Sequence, residues 1–275
     1  MATLFGRSWS VTIGAVEVND LALSFKVRKT LKAEPNTCEI QIWNLSPVTR
    51  ALLTTPTSTM VRIEAGYGSQ LSQIYLGEVR ALAPGTIDGP DILTELTSGD
   101  GEKETKTARL AVPIGAGTSS GAALRAVAAT LGVGLGNIQA AIDSINARGV
   151  VLFPRATVIT GNTARVLSDL CRSANLEWSI QDGALQFLDL GKPLLTHPYV
   201  LAADSGLIGA PKLDADGKVT AECLMLPHLR PGMSVQFDTL NVKGLYRICQ
   251  AEYSGETYGE AWGISITCDR PGSTA

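Results

Sequence analysis

The chain has 275 residues, 45% hydrophobic and 18% charged, enough for one large domain or two to three small ones with buried cores. A net charge of −3 gives no basic field that could hold nucleic acid tightly. The sequence has no run of 18 apolar residues and no signal-peptide core. We therefore expect no membrane segment, and folding in a cytoplasm.

The first hundred residues alternate between apolar and polar side chains, which predicts short strands. The candidate strands cover residues 8–18, 21–31, 34–43, 60–65, 73–82 and 92–97. We expect turns at Gly66-Tyr67-Gly68 and at Asp88-Gly89-Pro90. Six or so strands with one inserted helix indicate an antiparallel barrel or sandwich.

The inserted helix follows the strand at residues 34–43 and carries start signals of its own. Ser46 is placed to cap it, and Pro47 fits its first position, where an N–H would be unpaired. Val48, Leu52 and Leu53 would give this helix an apolar side. Nothing in the segment indicates catalysis.

The middle of the chain changes to helical spacing. Residues 113–120 form a Gly/Ser/Thr linker that ends in a cap at Thr118 or Ser119, followed by an amphipathic helix that Gly132 stops. Further helices are predicted at residues 138–145 and from residue 160. The Asp182-Gly183 pair between two alternating runs predicts a hairpin, so these pieces make a small α/β unit.

Strands return after Gly191. The candidates cover residues 219–226, 234–237, 244–253 and 261–268. This region is short for a full barrel, and we expect strands from elsewhere to complete it. No internal repeat is legible between the two strand regions.

Candidate reactive groups favour ordinary structural roles. His197 and His228 stand beside prolines with no Ser, Cys or carboxylate at a useful spacing, and no nucleophile-elbow motif accompanies them. The run Gly132 to Gly136 fits helix termination better than nucleotide binding. The five cysteines have no CxxC spacing and suit small buried side chains in a reducing compartment. We therefore expect neither a metal site nor a cofactor.

Two acidic segments also favour non-catalytic roles. Residues 214–217 (DADG) lack the ligand set of a calcium loop and predict a solvated hairpin turn. The charged cluster at residues 98–106 predicts a solvated loop; a partner-docking site is the alternative. Glu102 and Glu104 have the spacing of a glycosidase pair, but no aromatic sugar platform accompanies them.

A series of motifs resembles a known family in order and spacing along nearly the whole chain. It consists of EPNTCEIQIWNLS, VRIEAGYG, IYLGEV and TSGDGE, then TARVLSDLCRSANLEWSIQDGALQFLD, then SGLIGAP, and finally CLMLPHLRPGMSVQFDTLNVKGLYRICQAEYSGETYGEAWGISITC. It resembles the baseplate hub proteins of contractile and Mu-like phage tails, which are related to late control protein D.

The resemblance implies a mainly β fold with an α/β insertion. Two tail-tube-like β-barrel domains would occupy residues 1–112 and 191–275, around an α/β middle domain at residues 113–190. Three copies would form a ring whose six barrels match the sixfold tail tube above and seat the central spike below. The implied function is a structural hub of the virion tail, assembled in the bacterial cytoplasm and without catalytic residues.

Two other functions stay open. One is a tail-tip or tube-like component of a non-contractile tail or of a contractile injection system. The other is a hydrolase with an unrecognised site in the middle domain. For the hub, the expected partners are further copies of the chain, tube protein, spike protein and other baseplate proteins. DNA would pass through a neutral or acidic lumen without specific binding.

Two aromatic residues are candidate partner contacts. Trp43 falls on the polar side of its strand, where an exposed indole more often serves a partner than solubility. Tyr67, in the predicted turn, would lie at a barrel rim. For both residues the alternative is that the chain's own helix or loops cover the ring.

Overall fold

The structure, a computed structural model, describes residues 6–54, 59–194 and 197–272. Strands dominate it and form one large, mainly antiparallel sheet, so the prediction of a mainly β chain is confirmed. Within these ranges no helix has the length and apolarity needed to cross a membrane.

The N-terminal strand unit contains seven strands and one short helix. Alternation along the fourth strand buries Cys38, Ile40 and Ile42 on one face, as predicted. The predicted strand at residues 8–18 is instead two strands, since Gly14 turns the chain at a φ of 59°. The elements are β1 Arg7–Ile13, β2 Val16–Val18, β3 Leu23–Thr30, β4 Asn36–Trp43, α1 Pro47–Leu53, β5 Met60–Tyr67, β6 Gln70–Asp88 and β7 Asp91–Asp100.

The middle unit has a hydrophobic core of its own, built around Leu124, Leu167, Trp178 and Phe187. Its first long helix begins after Ser119, whose hydroxyl accepts the Ala122 N–H, so the predicted cap is confirmed. The elements are α2 Glu102–Thr107, β8 Arg109–Ile114, α3 Ser120–Ala129, α4 Ile138–Ala147, β9 Thr157–Asn162, α5 Thr163–Ser173, β10 Leu176–Gln181 and β11 Ala184–Asp189. The last two form the hairpin predicted at Asp182-Gly183.

The C-terminal strand unit contains the four predicted strands and two that were not predicted, the three-residue β12 and the seven-residue β13. Its elements are β12 Tyr199–Leu201, β13 Leu207–Leu213, β14 Val219–Leu224, β15 Ser234–Asp238, β16 Lys243–Glu256 and β17 Trp262–Asp269. The DADG segment makes the predicted hairpin turn, in which Asp214 accepts the N–H groups of Asp216 and Lys218.

The two strand units share one sheet and one hydrophobic core. β3 pairs antiparallel with β16, from Ser24↔Glu256 to Thr30↔Gln250, so a strand from elsewhere does extend the C-terminal unit. The main path of hydrogen-bonded strands ends at β13 and at β2 and does not close into a barrel within the described ranges. The arrangement as two barrels stays a prediction.

The two strand units repeat one strand order, although their sequences show no repeat. In the N-terminal unit the neighbours run β5-β6-β7-β4-β3, and in the C-terminal unit they run β15-β16-β17-β14-β13. Every step in both series is antiparallel. The chain therefore carries two copies of one five-strand arrangement, joined where β3 meets β16.

Candidate interaction surfaces

Trp43 lies half-buried at the end of β4. Its indole N–H donates to Asp88 Oδ2 at 3.2 Å, at the tip of the β6–β7 hairpin. Together with exposed Tyr258 it lines an open cavity of about 450 Å³. Aromatic rings that present a polar group at an open surface are common at protein interfaces. Trp43 therefore stays a candidate partner contact.

The helix α1 forms where predicted, but most of its apolar side faces solvent. The Ser46 hydroxyl caps it by accepting the Thr49 N–H at 3.1 Å. Val48 is 72% exposed and Leu52 is 61% exposed, while Leu53 packs against the core. Of the three predicted apolar residues of α1, only Leu53 therefore contacts the core of the chain.

The tip of the β6–β7 hairpin adds two exposed apolar side chains beside α1. Ile87 is 82% exposed, and Ile92 follows on the other strand. A Cβ placed on Gly85 would lie 3.6 Å from Ile92 and 3.9 Å from Arg50 of α1, so the helix and the hairpin adjoin. We call Val48, Leu52, Ile87 and Ile92 the helix–hairpin surface. Clusters of exposed apolar groups on a folded chain mark contact sites.

Tyr67 lies in β5 and not in a turn, because the chain turns at Gly68 and Ser69 while Tyr67 pairs with Gln70. The ring is buried, and its hydroxyl accepts the Met225 N–H at 3.1 Å. Tyr67 therefore lies in the contact between the two strand units of one chain. The alternative that the chain itself covers this ring is the one that the structure supports.

The charged cluster at residues 98–106 is not a solvated loop. Residues 98–100 end strand β7 in the interior, and residues 102–107 form α2. The buried Asp100 carboxylate accepts the N–H groups of Asp182 and Gly183 at 2.7 and 2.9 Å. Lys29, 0% exposed, donates to Asp182 Oδ1 at 2.6 Å. These contacts attach the β10–β11 turn of the middle unit to the main sheet.

Burial raises the pKa of Asp100 to about 6, against about 3.9 in an unfolded chain. Between these pH values the folded protein binds a proton that the unfolded chain does not. The contribution of Asp100 to stability is thus complete below pH 4 and is lost as the pH rises through 6. The loss is about 3 kcal/mol, at about 1.4 kcal/mol for each pKa unit.

The variant Asp100→Asn cannot titrate at this position, which makes it the matched control. We expect the free energy of unfolding of the native chain, minus that of the variant, to fall by about 3 kcal/mol from pH 4 to pH 7. Urea unfolding of both proteins at four pH values measures this difference. If the free energies of unfolding of the two proteins changed in parallel with pH, Asp100 would have an ordinary pKa.

A second ionic cluster connects the middle unit to the main sheet. Arg247 of β16, 2% exposed, donates to both oxygens of Asp269 on β17, at 3.0 and 2.8 Å. It also donates to Glu177 of β10. Burial raises the pKa of Glu177 despite this cation. Because the guanidinium is shared by carboxylates from both units, the cluster fixes their relative position.

The histidines and cysteines of the described residues have structural surroundings. Within them no three His, Cys, Asp or Glu side chains are grouped so as to hold a metal ion. His197 is exposed, and the His228 ring packs against Tyr199 with centroids 4.5 Å apart and the ring planes tilted by 53°. Four of the five cysteines are buried, and burial raises the pKa of the Cys171 and Cys223 thiols to about 12. Such thiols are poor nucleophiles.

Trp43 stays a candidate from the sequence, whereas the groups that join the units were not predicted. Lys29 and Arg247 stand in alternating strands where a charged residue normally faces water. Their carboxylate partners lie more than 20 residues away along the chain. The exposure of the hairpin tip was also not predicted, because isoleucines such as Ile87 and Ile92 are usually buried in strands.

Comparison with protein families gives one match. The profile of the family described as "Baseplate hub gp41" matches residues 10–262. A search of the curated proteins gives no match.

Solved structures share the fold at very low sequence identity. The 43 kDa tail protein of prophage MuSo2 from Shewanella oneidensis is 9% identical, with a TM-score of 0.67 and 97% of both chains covered. A tail protein from Neisseria meningitidis MC58 is 9% identical, with a TM-score of 0.67 and 98% of both chains covered. The Escherichia coli c3393 protein, a type VI secretion component with structural similarity to the T4 tail proteins gp27 and gp5, is 10% identical. Its TM-score is 0.61, with 96% of this chain and 77% of that chain covered.

Proposed function

The chain belongs to the baseplate hub gp41 family, and on that premise we propose that three copies form a ring joining the sixfold tail tube to the central spike. As a member of this family it is a structural component of a phage tail baseplate. The ring, its copy number and its place between tube and spike are the proposal. So is its assembly in the bacterial cytoplasm.

The repeated strand order is the observation that carries the proposal. One chain presents two similar strand units side by side, joined through β3 and β16. Three chains in a ring would thus present six such units, which is the number needed to match a sixfold tube. A closed ring also suits homo-oligomers in general, because heterologous contacts that do not close produce filaments.

The proposed partners follow from this geometry. Tube protein would meet one rim of the ring, and spike protein and other baseplate proteins would meet the other. DNA would pass through the lumen, and a chain with a net charge of −3 offers it no tight binding.

The mass of the purified chain tests the ring. The chain weighs 28.9 kDa, so light scattering should give three times that mass, either alone or after tube protein is added. Electron microscopy of the same sample should show rings with six lobes. A chain that stays a monomer in the presence of tube protein, at concentrations up to about 100 times a micromolar Kd, would contradict the proposal.

We expect Trp43→Ala to weaken assembly, either of the ring or of the ring with tube protein, by at least about tenfold, because aromatic interface residues often contribute more than 1.4 kcal/mol. Tyr258→Ala is the comparison, because it removes an aromatic ring from the same cavity and leaves the hydrogen bond between Trp43 and Asp88 in place. Sedimentation measures the assembly, and thermal unfolding checks the fold. Unchanged assembly for a folded Trp43→Ala protein would remove this residue from the interface.

A further inference from the structure

We propose that β13 of one copy pairs antiparallel with the outer half of β6 in the next copy, which repeats between chains the β3–β16 junction within a chain. This inference rests on the proposed ring and names the surfaces that close it. The occupant of each surface is therefore a second copy of this chain.

Both strands have a free edge where the pairing would form. β13 pairs only with β14 within the described residues. β5 pairs with β6 as far as Met60↔Glu78, and the Thr59 carbonyl accepts the Val79 N–H at 2.9 Å. Beyond Val79, the outer half of β6 pairs only with β7 among the residues that the structure describes. An edge strand presents unpaired N–H and C=O groups that another chain can pair with.

The repeat supplies the template for this contact. In the C-terminal unit, β15 covers the first part of β16, to Arg247, and β3 occupies the same edge from Gln250 onward. In the N-terminal unit, β5 covers the first part of β6, and no strand of the described residues occupies the position that corresponds to β3. By the same repeat, the strand that corresponds to β3 is β13. The next copy offers this strand with a free edge.

The pairings within each unit allow one row of residues to be matched between the two units. Moving from each residue to its paired residue on the next strand gives a row of four residues across each unit. The two rows cross corresponding strands in the same order. The rows are Ser24, Gln41, Glu95 and Ala83 in the N-terminal unit, and Ile208, Glu222, Ser265 and Glu252 in the C-terminal unit.

The hairpin ends fix the expected register between copies. Asp88 faces Asp91 in the last pair of the β6–β7 hairpin. Glu256 holds the same place in the β16–β17 hairpin, where its N–H donates to Ala261. Within one chain, Glu256 faces Ser24. Asp88 corresponds to Glu256, and Ile208 corresponds to Ser24. We therefore expect Ile208 of one copy to face Asp88 of the next.

Each free edge carries one proline, and each strand is irregular beside it. Pro84 precedes a register shift in β6, and Pro211 lies inside a register shift in β13. Prolines in strands are typical of edges, because they cannot donate to the ladder. The expected pairing thus consists of two short stretches on either side of the prolines. This also disfavours uncontrolled pairing with other edges.

The surroundings of the two junctions support the same conclusion. The segment between β14 and β15 is buried by the N-terminal unit: Met225, 1% exposed, donates its N–H to Tyr67, and Arg230 donates to the Gln73 carbonyl at 2.7 Å. In the N-terminal unit the corresponding segment lies between β4 and β5, and it contains the helix α1. Its Val48 and Leu52 are exposed within one chain, and the next copy would cover them.

A disulfide between copies tests the pairing. The variant with Asp88→Cys and Ile208→Cys places thiols that should lie opposite each other, at the 4.5–5.5 Å Cα separation of antiparallel neighbours, which a disulfide can span. We expect mild oxidation to give covalent dimers and trimers on a non-reducing gel. The matched control joins Asp88→Cys to Val158→Cys, an exposed strand residue of the middle unit, and should stay largely monomeric on the gel.

The outcomes separate this inference from the proposed function. Cross-linked trimers in the first variant and not in the control support the pairing. Rings of three by mass without the cross-link overturn the pairing and leave the hub function standing. Neither rings nor cross-links in the presence of tube protein would count against both. If Asp88→Cys disturbs the hairpin, Thr86→Cys with Lys212→Cys probes the same junction two rows further along, because Lys212 corresponds to Lys26 and Thr86 to Ser254.

Discussion

Replacing Asp269 with alanine is expected to lower the free energy of unfolding by about 3–5 kcal/mol. The change leaves the Arg247 guanidinium, 2% exposed, with only the Glu177 carboxylate and without its two hydrogen bonds to β17. Removing one partner of a buried ion pair leaves a charge that neither water nor protein fully compensates. Urea unfolding at pH 7 measures the loss.

The exposed pair of Lys243 and Asp238, 3.6 Å apart, provides the matched control. Asp238→Ala removes the same kind of carboxylate on the neighbouring strand pair, β15–β16, and we expect a loss of about 0–1 kcal/mol there. Equal losses at both positions would mean that the Arg247 cluster does not hold a desolvated charge. The double variant Arg247→Met with Asp269→Leu should recover part of the stability, because it removes the two most deeply buried charges and leaves only the half-buried Glu177 carboxylate.

Leu52→Asp is expected to weaken ring formation by at least about tenfold while leaving the isolated chain folded. Leu52 is 61% exposed in one chain, so the substitution should change the chain's own stability by no more than about 0.5 kcal/mol. In the proposed ring the same position is covered, and an unpaired carboxylate buried at an interface is costly. Light scattering across a dilution series measures the change.

Val158→Asp is the control for Leu52→Asp, because Val158 is 60% exposed on β9 of the middle unit, away from the proposed junction. Its ring formation should equal that of the native chain. If both variants assemble like the native chain, the helix–hairpin surface is not part of the ring. If only Val158→Asp impairs assembly, the middle unit makes the contact instead.

Local signals in the sequence were read correctly wherever a few neighbouring residues decide the structure. The Ser46-Pro47 start of α1 and the Asp182-Gly183 turn between β10 and β11 depend on backbone preferences that the residues carry with them. The alternation in β4 likewise fixed its buried face. The mainly β fold followed from the sum of such signals.

The remaining features depend on partners that are far apart in the chain. Lys29 is charged, and only its contact with Asp182 explains why it is buried in β3. The residues at 98–106 have the composition of a solvated loop, but the middle unit covers Asp100. Val48 and Leu52 have the spacing of a packing side, and Leu53 takes the inward position. Periodicity gives the spacing of a face but not what lies opposite it.

The pairing of β3 with β16 has a consequence for synthesis on the ribosome. β3 ends at Thr30 and its partner begins at Lys243, so more than 200 residues emerge before this edge can be covered. Contacts over such separations form slowly, and an open edge is prone to aggregation while it waits. A chain that stops before β16 would keep that edge exposed permanently. We therefore expect truncated products to be insoluble, and only chains finished through β17 to enter assembly.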